Sequence, residues 1–331
     1  MEIAKRSRHC GLVVNYKCNA ACRHCLYACT PGRTDDYMTA EATERICSQL
    51  TKRGIKSLHI GGGEPFLHFE GLLKVVEVVI NAGIDIEYIE TNGFWSIDEK
   101  RALQYLAELK LAGADNFLIS IDPFHIEFVP LDRPLRLAKL CDSVGFKYFF
   151  HQKQFVERLS ALDTSKVYSR KELEEEISPE YLQEITGVYN VNPTGSAINL
   201  LEEFLPYKPV SEVLQKSHPC KYLINTDFIH IDLYEMYLMS LCSGIALPLK
   251  DAVEGIAKGR FPVFEALLSG GIRGLLDLAE GHGYEQEQSG YVSSCAMCFH
   301  IRRWLCESCD YVELDKEYHR FAYNPASNVP Q

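Results

Sequence analysis

Three cysteines fall within eight residues near the start of the chain, in the run CNAACRHC that contains Cys18, Cys22 and Cys25. The spacing alone leaves three interpretations open. On a helix the cysteines would share one face and form a buried stripe of thiols. As metal ligands they would bind zinc if Cys29 or His24 supplied a fourth ligand. They would otherwise hold an iron–sulfur cube, with one iron left open for a small ligand.

The composition limits the classes of protein to which this chain can belong. Of its 331 residues, 47% are hydrophobic, which is enough to build a large core. A formal charge of −11 argues against nucleic-acid binding, which draws on clustered lysine and arginine. Apolar stretches are too short for a membrane span or a signal peptide, so we expect a cytoplasmic protein with no membrane partner. In that reducing compartment, 13 cysteines favour metal ligation over disulfides.

Up to about residue 194, short runs rich in β-branched and aromatic residues alternate with helical stretches. Thr39 is the expected N-cap of a helix over 40–53, and Ser96 with Glu99 predicts a capping box for the helix that follows. Such alternation implies right-handed crossovers and a parallel sheet, and six units fall short of a closed eight-stranded barrel. We therefore predict an α/β fold, a partial (β/α)6 barrel. The strand candidates lie at 11–15, 57–61, 85–91, 116–122, 147–153 and 188–192.

The character of the chain changes after residue 205. A hairpin-like stretch over 222–239 is followed by a helical region and by the run CAMCFHIRRWLCESC. We predict a barrel domain over 1–205 and a small, cysteine-rich α+β domain over 206–331. Its two CxxC pairs are also compatible with a zinc site. The cysteines of this second group are Cys220, Cys242, Cys295, Cys298, Cys306 and Cys309.

Short polar or glycine-rich motifs close the predicted strands one after another. Functional loops of parallel α/β sheets lie at the carboxyl ends of the strands, so these motifs are expected to meet around one site. The motifs are GGGEP (Gly61, Gly62, Gly63, Glu64, Pro65), ETNG with Thr91 and Asn92, SID with Ser120 and Asp122, and VNPTGSA with Pro193 and Gly195.

C-x3-C-x2-C after the first strand, followed by these motifs in order, resembles the radical S-adenosylmethionine (SAM) superfamily. The resemblance implies a [4Fe-4S] cluster on the three cysteines, with SAM chelating the open iron. It also implies that the glycines of GGGEP approach the methionyl ammonium, that the other motifs contact SAM, and that His24 or Tyr27 contacts adenine. Two departures are Pro123, where a well-known subgroup often has glycine, and Ser196, where relatives often have arginine.

The second cysteine group resembles the SPASM and twitch auxiliary-cluster domains of radical SAM enzymes. The resemblance implies one auxiliary [4Fe-4S] cluster, held by Cys220, Cys242, Cys295 and Cys298. Cys306 and Cys309 are an alternative ligating pair or the beginning of a second cluster. Six cysteines fall between the four of a twitch domain and the seven of a SPASM domain.

These resemblances predict an oxygen-sensitive radical SAM enzyme that abstracts hydrogen from a substrate C–H bond and takes electrons from a donor such as flavodoxin or ferredoxin. Oxidation or rearrangement of a small molecule is favoured. Maturation of a ribosomal peptide is the alternative, disfavoured because the first strand begins about ten residues in and leaves no leader-peptide-binding domain. A non-catalytic iron–sulfur or zinc protein is a second alternative. The candidate substrate contacts are Asp122, His125, His151, Lys153 and Tyr189.

Overall fold

The computed structural model describes residues 9–177, 191, 194–215, 217–224, 227–239 and 241–323. One eight-stranded sheet runs through this part of the chain, in the order β5-β4-β3-β2-β1-β6-β7-β8. Strands β1 to β6 pair in parallel, whereas β7 and β8 are antiparallel. The strands are β1 (His9–Val13), β2 (Ser57–Gly61), β3 (Asp85–Thr91), β4 (Asn116–Ser120), β5 (Lys147–His151), β6 (Phe228–Asp232), β7 (Met236–Met239) and β8 (Cys242–Pro248).

The first five predicted strands are confirmed, and the α/β class with a parallel sheet is confirmed with them. The sixth candidate, 188–192, lies outside the described residues apart from Val191. The strand that completes the parallel set is β6, which pairs with the free edge of β1. Gly11 therefore lies between His59 on one side and His230 on the other.

Helices connect the parallel strands and cover the sheet. Consecutive members of the set α1 to α4 contact one another, and each buries apolar side chains on one side. Short 3₁₀ turns cover Pro65–His68 and Phe94–Ile97. The helices of this half are α1 (Ala40–Thr51), α2 (Phe69–Asn81), α3 (Glu99–Ala112), α4 (Asp132–Val144), α5 (Gln154–Leu159) and α6 (Arg170–Glu176).

Two predicted helix starts have different outcomes. Thr39 is the N-cap of α1, where its side chain accepts from the backbone N–H of Ala42 at 3.2 Å. The capping box at Ser96 is wrong, because Asp98 caps α3 by accepting from the N–H of Arg101. Ser96 lies two residues earlier, in the 3₁₀ turn, and its hydroxyl donates instead to a backbone carbonyl of α4.

The hairpin predicted after residue 220 is confirmed as β6 and β7. It extends the parallel sheet, since β6 is bonded to β1 along five register pairs. The division into domains at residue 205 stays a prediction. No helix of the described residues is long and apolar enough to cross a membrane. The remaining helices are α7 (Ala197–Phe204), α8 (Val210–Gln215), α9 (Lys221–Ile224), α10 (Leu249–Glu254), α11 (Pro262–Glu280), α12 (Ser294–Ser308) and α13 (Lys316–Tyr323).

Candidate active site

The three clustered cysteines lie on an irregular loop that follows β1, not on a helix. A bridge between Lys17 and Thr30 closes the loop, and the N–H of Cys18 donates to the Thr30 carbonyl at 3.2 Å. A turn brings the N–H of Cys25 to the carbonyl of Cys22 at 3.0 Å. The interpretation as a helical stripe of thiols is therefore wrong, and the backbone instead curls so that the three thiols interact with one another.

The electrostatics of this loop suit thiols that lose their protons to a metal. Burial raises the pKa of Cys18 and Cys22, so without a nearby cation both stay protonated. The pKa of Cys25 is lowered to about 6, chiefly by a hydrogen bond from Cys29. The N–H of Cys29 also donates to the Cys25 sulfur at 3.3 Å. Binding a metal would supply the positive charge that the two buried thiolates need.

The GGGEP turn packs directly against the cysteine loop. The N–H of Gly63 donates to the carbonyl of Asn15 at 2.8 Å, and the N–H of Glu64 donates to the carbonyl of Lys17 at 3.0 Å. A Cβ atom on Gly63 would lie 2.0 Å from the Lys17 carbonyl oxygen, and one on Gly62 would lie 2.6 Å from that of Asn15. Glycine is required because two backbones touch there. Pro65 then begins the 3₁₀ turn that leads away.

Glu64 joins the ends of β2 and β3. Its carboxylate is 1% exposed and accepts from the N–H of Phe66, the hydroxyl of Thr91 and the N–H of Asn92, at 2.8–3.1 Å. Burial raises the pKa of Glu64 to about 7, although these three donors favour the ionised form. The Asn92 side chain continues the network by donating to Asn19 of the cysteine loop at 2.8 Å. Glu64 and Thr91 thus fix the wall of the site.

Asp122, after β4, is held between two histidines. Its Oδ2 lies 2.7 Å from Nδ1 of His125 and 3.2 Å from Nε2 of His24. Its Oδ1 accepts from the N–H groups of Phe124 and His125. Burial raises the pKa of Asp122, but the two histidines more than offset this and hold it well below its usual value. The His24 ring stacks on Phe124 at 4.6 Å, so Asp122 orients a ring that adjoins the third cysteine.

The turn after residue 193 supports the cysteine loop from the other side. The N–H of Ser196 donates to the Cys25 carbonyl at 3.0 Å. Gly195 has a φ of 66°, and a Cβ atom there would lie 2.3 Å from the same carbonyl oxygen. Tyr27 lies in this region with its ring edge-on to His230 at 5.6 Å. Pro193 lies outside the described residues.

A cavity of about 910 Å³ opens in front of these elements, a volume at the upper end of typical small-molecule sites. The ends of β2, β3 and β4 line it, with Ser120 beside His151 in the register of β4 and β5, whereas Pro65, Asp122 and Gly195 are not among its lining residues. The predicted site residues that line it are Cys18, Cys22, Cys25, His24, Tyr27, Gly61, Gly62, Gly63, Glu64, Thr91, Asn92, Ser120, His125 and His151.

Sequence reasoning missed a polar layer deeper in the same cavity. Its members are His59, Glu90 and His230, which face inward from three different strands. His59 and His230 are edge-on to each other at 5.2 Å, and Gly11 leaves the room between them. Burial, with His230, lowers the pKa of His59 to about 3, whereas burial raises that of Glu90 to about 7. The sequence signal that could have found this layer was the alternation of side chains along a strand, which places His59 on the same face of β2 as Gly61.

Four of the six cysteines in the second group converge. Cys242 begins β8, Cys295 and Cys298 lie one turn apart on α12, and Cys220 precedes α9. The electrostatic neighbours of Cys242 include the other three members of this set, and those of Cys295 include Cys298 and Cys220. We call these four residues the C-terminal thiol cluster. Cys306 lies elsewhere, with its sulfur 3.4 Å from Nδ1 of His319, and Cys309 caps the end of α12.

The sequence matches the Radical SAM superfamily over residues 12–147, the stretch that carries β1 to α4 and the cysteine loop. This match covers less than half of the chain. A match to this superfamily implies a [4Fe-4S] cluster and SAM. The matched stretch contains GGGEP and the ends of β3 and β4, so it covers most of the cavity wall described above.

Curated relatives match part of the chain. The "Putative peptide biosynthesis protein YydG" of Bacillus subtilis is 27% identical over 113 residues, covering 34% of this chain and 35% of that protein. The GTP 3′,8-cyclase of Peptoclostridium acidaminophilum is 28% identical over 151 residues, covering 43% of this chain and 44% of the cyclase. The match thus spans less than half of each relative.

Solved structures with a similar chain path have low sequence identity. SuiB of Streptococcus suis, bound to S-adenosylmethionine, aligns over 72% of this chain and 61% of its own, with a TM-score of 0.43 and 16% identity. BtrN in complex with AdoMet and 2-DOIA aligns over 88% of this chain and 98% of its own, with a TM-score of 0.42 and 15% identity.

Proposed function

We propose that the protein is a radical SAM enzyme whose [4Fe-4S] cluster is held by Cys18, Cys22 and Cys25 and whose substrate enters the cavity in front of them. A cluster and SAM bound there, with an electron supplied, would provide a 5′-deoxyadenosyl radical for hydrogen abstraction from a substrate C–H bond. The observation that carries the proposal is that the three thiols, the GGGEP turn and the polar interior of the sheet all border one cavity.

The residues present fit a cluster with one open iron. Three thiols from one loop interact, and the next thiol along the chain, Cys29, bonds to Cys25. We assign Cys29 to supporting the third ligand, because both its backbone and its side chain engage that sulfur. A zinc site with Cys29 as fourth ligand is the competing assignment, and the metal content of a Cys29→Ala variant distinguishes the two.

The substrate side of the cavity favours a polar molecule. Ser120, His125 and His151 lie at the mouth, with Glu90 and His230 deeper. These groups offer hydrogen-bond donors and acceptors at two depths, which suits a small molecule with several hydroxyl or amino groups. We therefore favour oxidation or rearrangement of a small polar molecule. Maturation of a peptide is the second candidate, favoured by the similarity to YydG.

The C-terminal thiol cluster supports an auxiliary [4Fe-4S] cluster. Four cysteines meet there, two from one helix, one from a strand and one from a loop. Such a cluster would supply an acceptor for the second electron of a substrate oxidation, or a site that binds the substrate directly. Cys306 and Cys309 are left out of this assignment because Cys306 contacts His319 instead.

The test is anaerobic reconstitution of the full chain with iron and sulfide, followed by reduction in the presence of SAM. The parent should hold near eight irons, from two [4Fe-4S] cubes, and form 5′-deoxyadenosine. A variant with Cys18, Cys22 and Cys25 changed to Ala should hold about half the iron and form none. Cys141→Ala, a buried helical cysteine remote from both groups, is the matched control.

Three outcomes separate the alternatives. Near twelve irons would add a second auxiliary cluster and bring Cys306 and Cys309 back as ligands. Zinc in place of iron, with no 5′-deoxyadenosine, would overturn the proposal in favour of a non-catalytic metal protein. Activity that increases on adding a peptide, but not with polyols or amino sugars, would favour the second candidate.

A further inference from the structure

Arg302 lies beside the C-terminal thiol cluster and is buried. It follows Cys298 by one helical turn on α12, and its side chain is 2% exposed. Its Nη1 donates to the backbone carbonyl of Ser243 at 2.9 Å. Because Ser243 adjoins Cys242, the side chain spans from the helix with Cys295 and Cys298 to the strand that begins with Cys242.

The surrounding backbone leaves room for this guanidinium. Gly244 has a φ of 84°, and a Cβ atom there would lie 2.8 Å from Nη1 of Arg302. The same atom would lie 2.2 Å from the ring of Tyr318. A glycine in the left-handed region at this position therefore makes the burial of Arg302 possible.

The charge of Arg302 has no carboxylate partner within ion-pair distance among the described residues. Its strongest electrostatic neighbours are the thiols of Cys298 and Cys242, followed by the hydroxyl of Tyr318. Burying an uncompensated cation costs several kcal/mol, so the fold needs negative charge here. Neutral thiols do not supply it, whereas thiolates that ligate a metal cluster do.

We infer that Arg302 is the counter-ion of the auxiliary cluster and raises its reduction potential by stabilising the reduced form. The inference rests on the proposed function, specifically on the cluster held by Cys220, Cys242, Cys295 and Cys298. A cube with four thiolates is a net anion, and each added electron increases that charge. A buried cation and N–H groups near the ligating sulfurs favour the more negative state.

Arg302 is thus a positioning residue for electron transfer. In the proposed oxidation, the substrate radical gives one electron to the oxidised auxiliary cluster and one proton to solvent or a cavity base. Together with the hydrogen atom already lost, this step leaves the product two electrons more oxidised than the substrate. Arg302 is unchanged in this step, and its effect is on how readily the cluster accepts the electron.

The experiment isolates the auxiliary cluster in the full chain, with Cys18, Cys22 and Cys25 changed to Ala in every sample. Arg302→Gln and Arg302→Lys are compared with this parent. Arg303→Gln is the matched control. Arg303 is the next residue on the same helix, but its side chain is 31% exposed and pairs with Glu307 at 3.1 Å. Each protein is assayed for iron, sulfide, helix content and the potential of the cluster by an EPR-monitored redox titration.

At the parent's midpoint potential, we expect Arg302→Gln to lower the ratio of reduced to oxidised cluster about tenfold. This corresponds to a midpoint potential that is lower by about 59 mV for a one-electron couple. Arg302→Lys should fall between Gln and the parent, since it keeps the charge but not the planar fork. Arg303→Gln should match the parent. Loss of iron from Arg302→Gln alone, with Lys and the control loaded, would also support the inference.

Two results would overturn it. One is an unchanged potential in a fully loaded Arg302→Gln protein. The other is loss of iron from the Gln and Lys variants alike, since shape and not charge would then hold the cluster. If the parent for this series binds zinc or no iron at all, the assignment of an auxiliary cluster in the proposed function is wrong, and the role of Arg302 is wrong with it. An unchanged potential leaves the proposed function intact.

Discussion

Gly63→Ala should damage the protein where the GGGEP turn meets the cysteine loop. The added methyl carbon would lie 2.0 Å from the Lys17 carbonyl oxygen and 2.5 Å from its carbonyl carbon. Ordinary contact begins near 3.4 Å, so the two backbones must separate by about 1.4 Å. Neither is a flexible side chain, and Lys17 immediately precedes the first cysteine of the motif.

The expected cost follows from the contacts that this separation breaks. Overpacking costs about 1–3 kcal/mol, and two backbone hydrogen bonds cross this contact, each worth about 1 kcal/mol. Together these give a loss of about 3–5 kcal/mol in unfolding free energy, or a fall in Tm of about 6–10 °C at roughly 2 °C per kcal/mol for a chain of this size. A shift of about 1 Å in a positioned ligand should also slow 5′-deoxyadenosine formation about 100-fold.

Thermal unfolding, iron content and 5′-deoxyadenosine formation together test this prediction. Gly270→Ala is the control, because no atom lies within 4 Å of the site of its Cβ. That substitution should leave all three measurements close to the parent values. A Gly63→Ala protein with the parent's Tm, iron content and rate would refute the reasoning, since it would show that the two backbones do not need a glycine between them.

Three further predictions concern other parts of the structure. Cys298→Ser should lose auxiliary iron, whereas Cys306→Ser should keep the parent's iron content; equal losses would contradict the ligand assignment. Asp122→Asn should cost about 3 kcal/mol near pH 6. Because the pKa of Asp122 is lowered, its charge stabilises the fold fully above the usual carboxyl pKa, and this stabilisation is lost as the pH falls through the lowered pKa. Acid unfolding should therefore be less steep in the variant. Gly11→Ala should lower Tm through its clash with His59 while leaving the iron content unchanged, as measured by calorimetry and iron assay.

Some features of the site were accessible from local sequence. Strands β2 and β3 end where their hydrophobic runs end, and the motifs that follow lie around the cavity. The start of α3 was harder, because Ser96 and Asp98 both suit an N-cap. Asp98 prevails since the preceding residues form a 3₁₀ turn and Ser96 is bound to α4. That contact is remote in sequence and leaves no local pattern.

The sequence by itself determined the cysteine motif, the first five parallel strands and the presence of two groups of cysteines, because these depend on short-range spacing and hydrophobic pattern. Only the tertiary structure decided which groups meet. It paired β6 with β1, placed Asp122 between His24 and His125, and separated Cys306 from the other thiols. Such contacts join residues from different elements, and their geometry depends on how the whole chain packs.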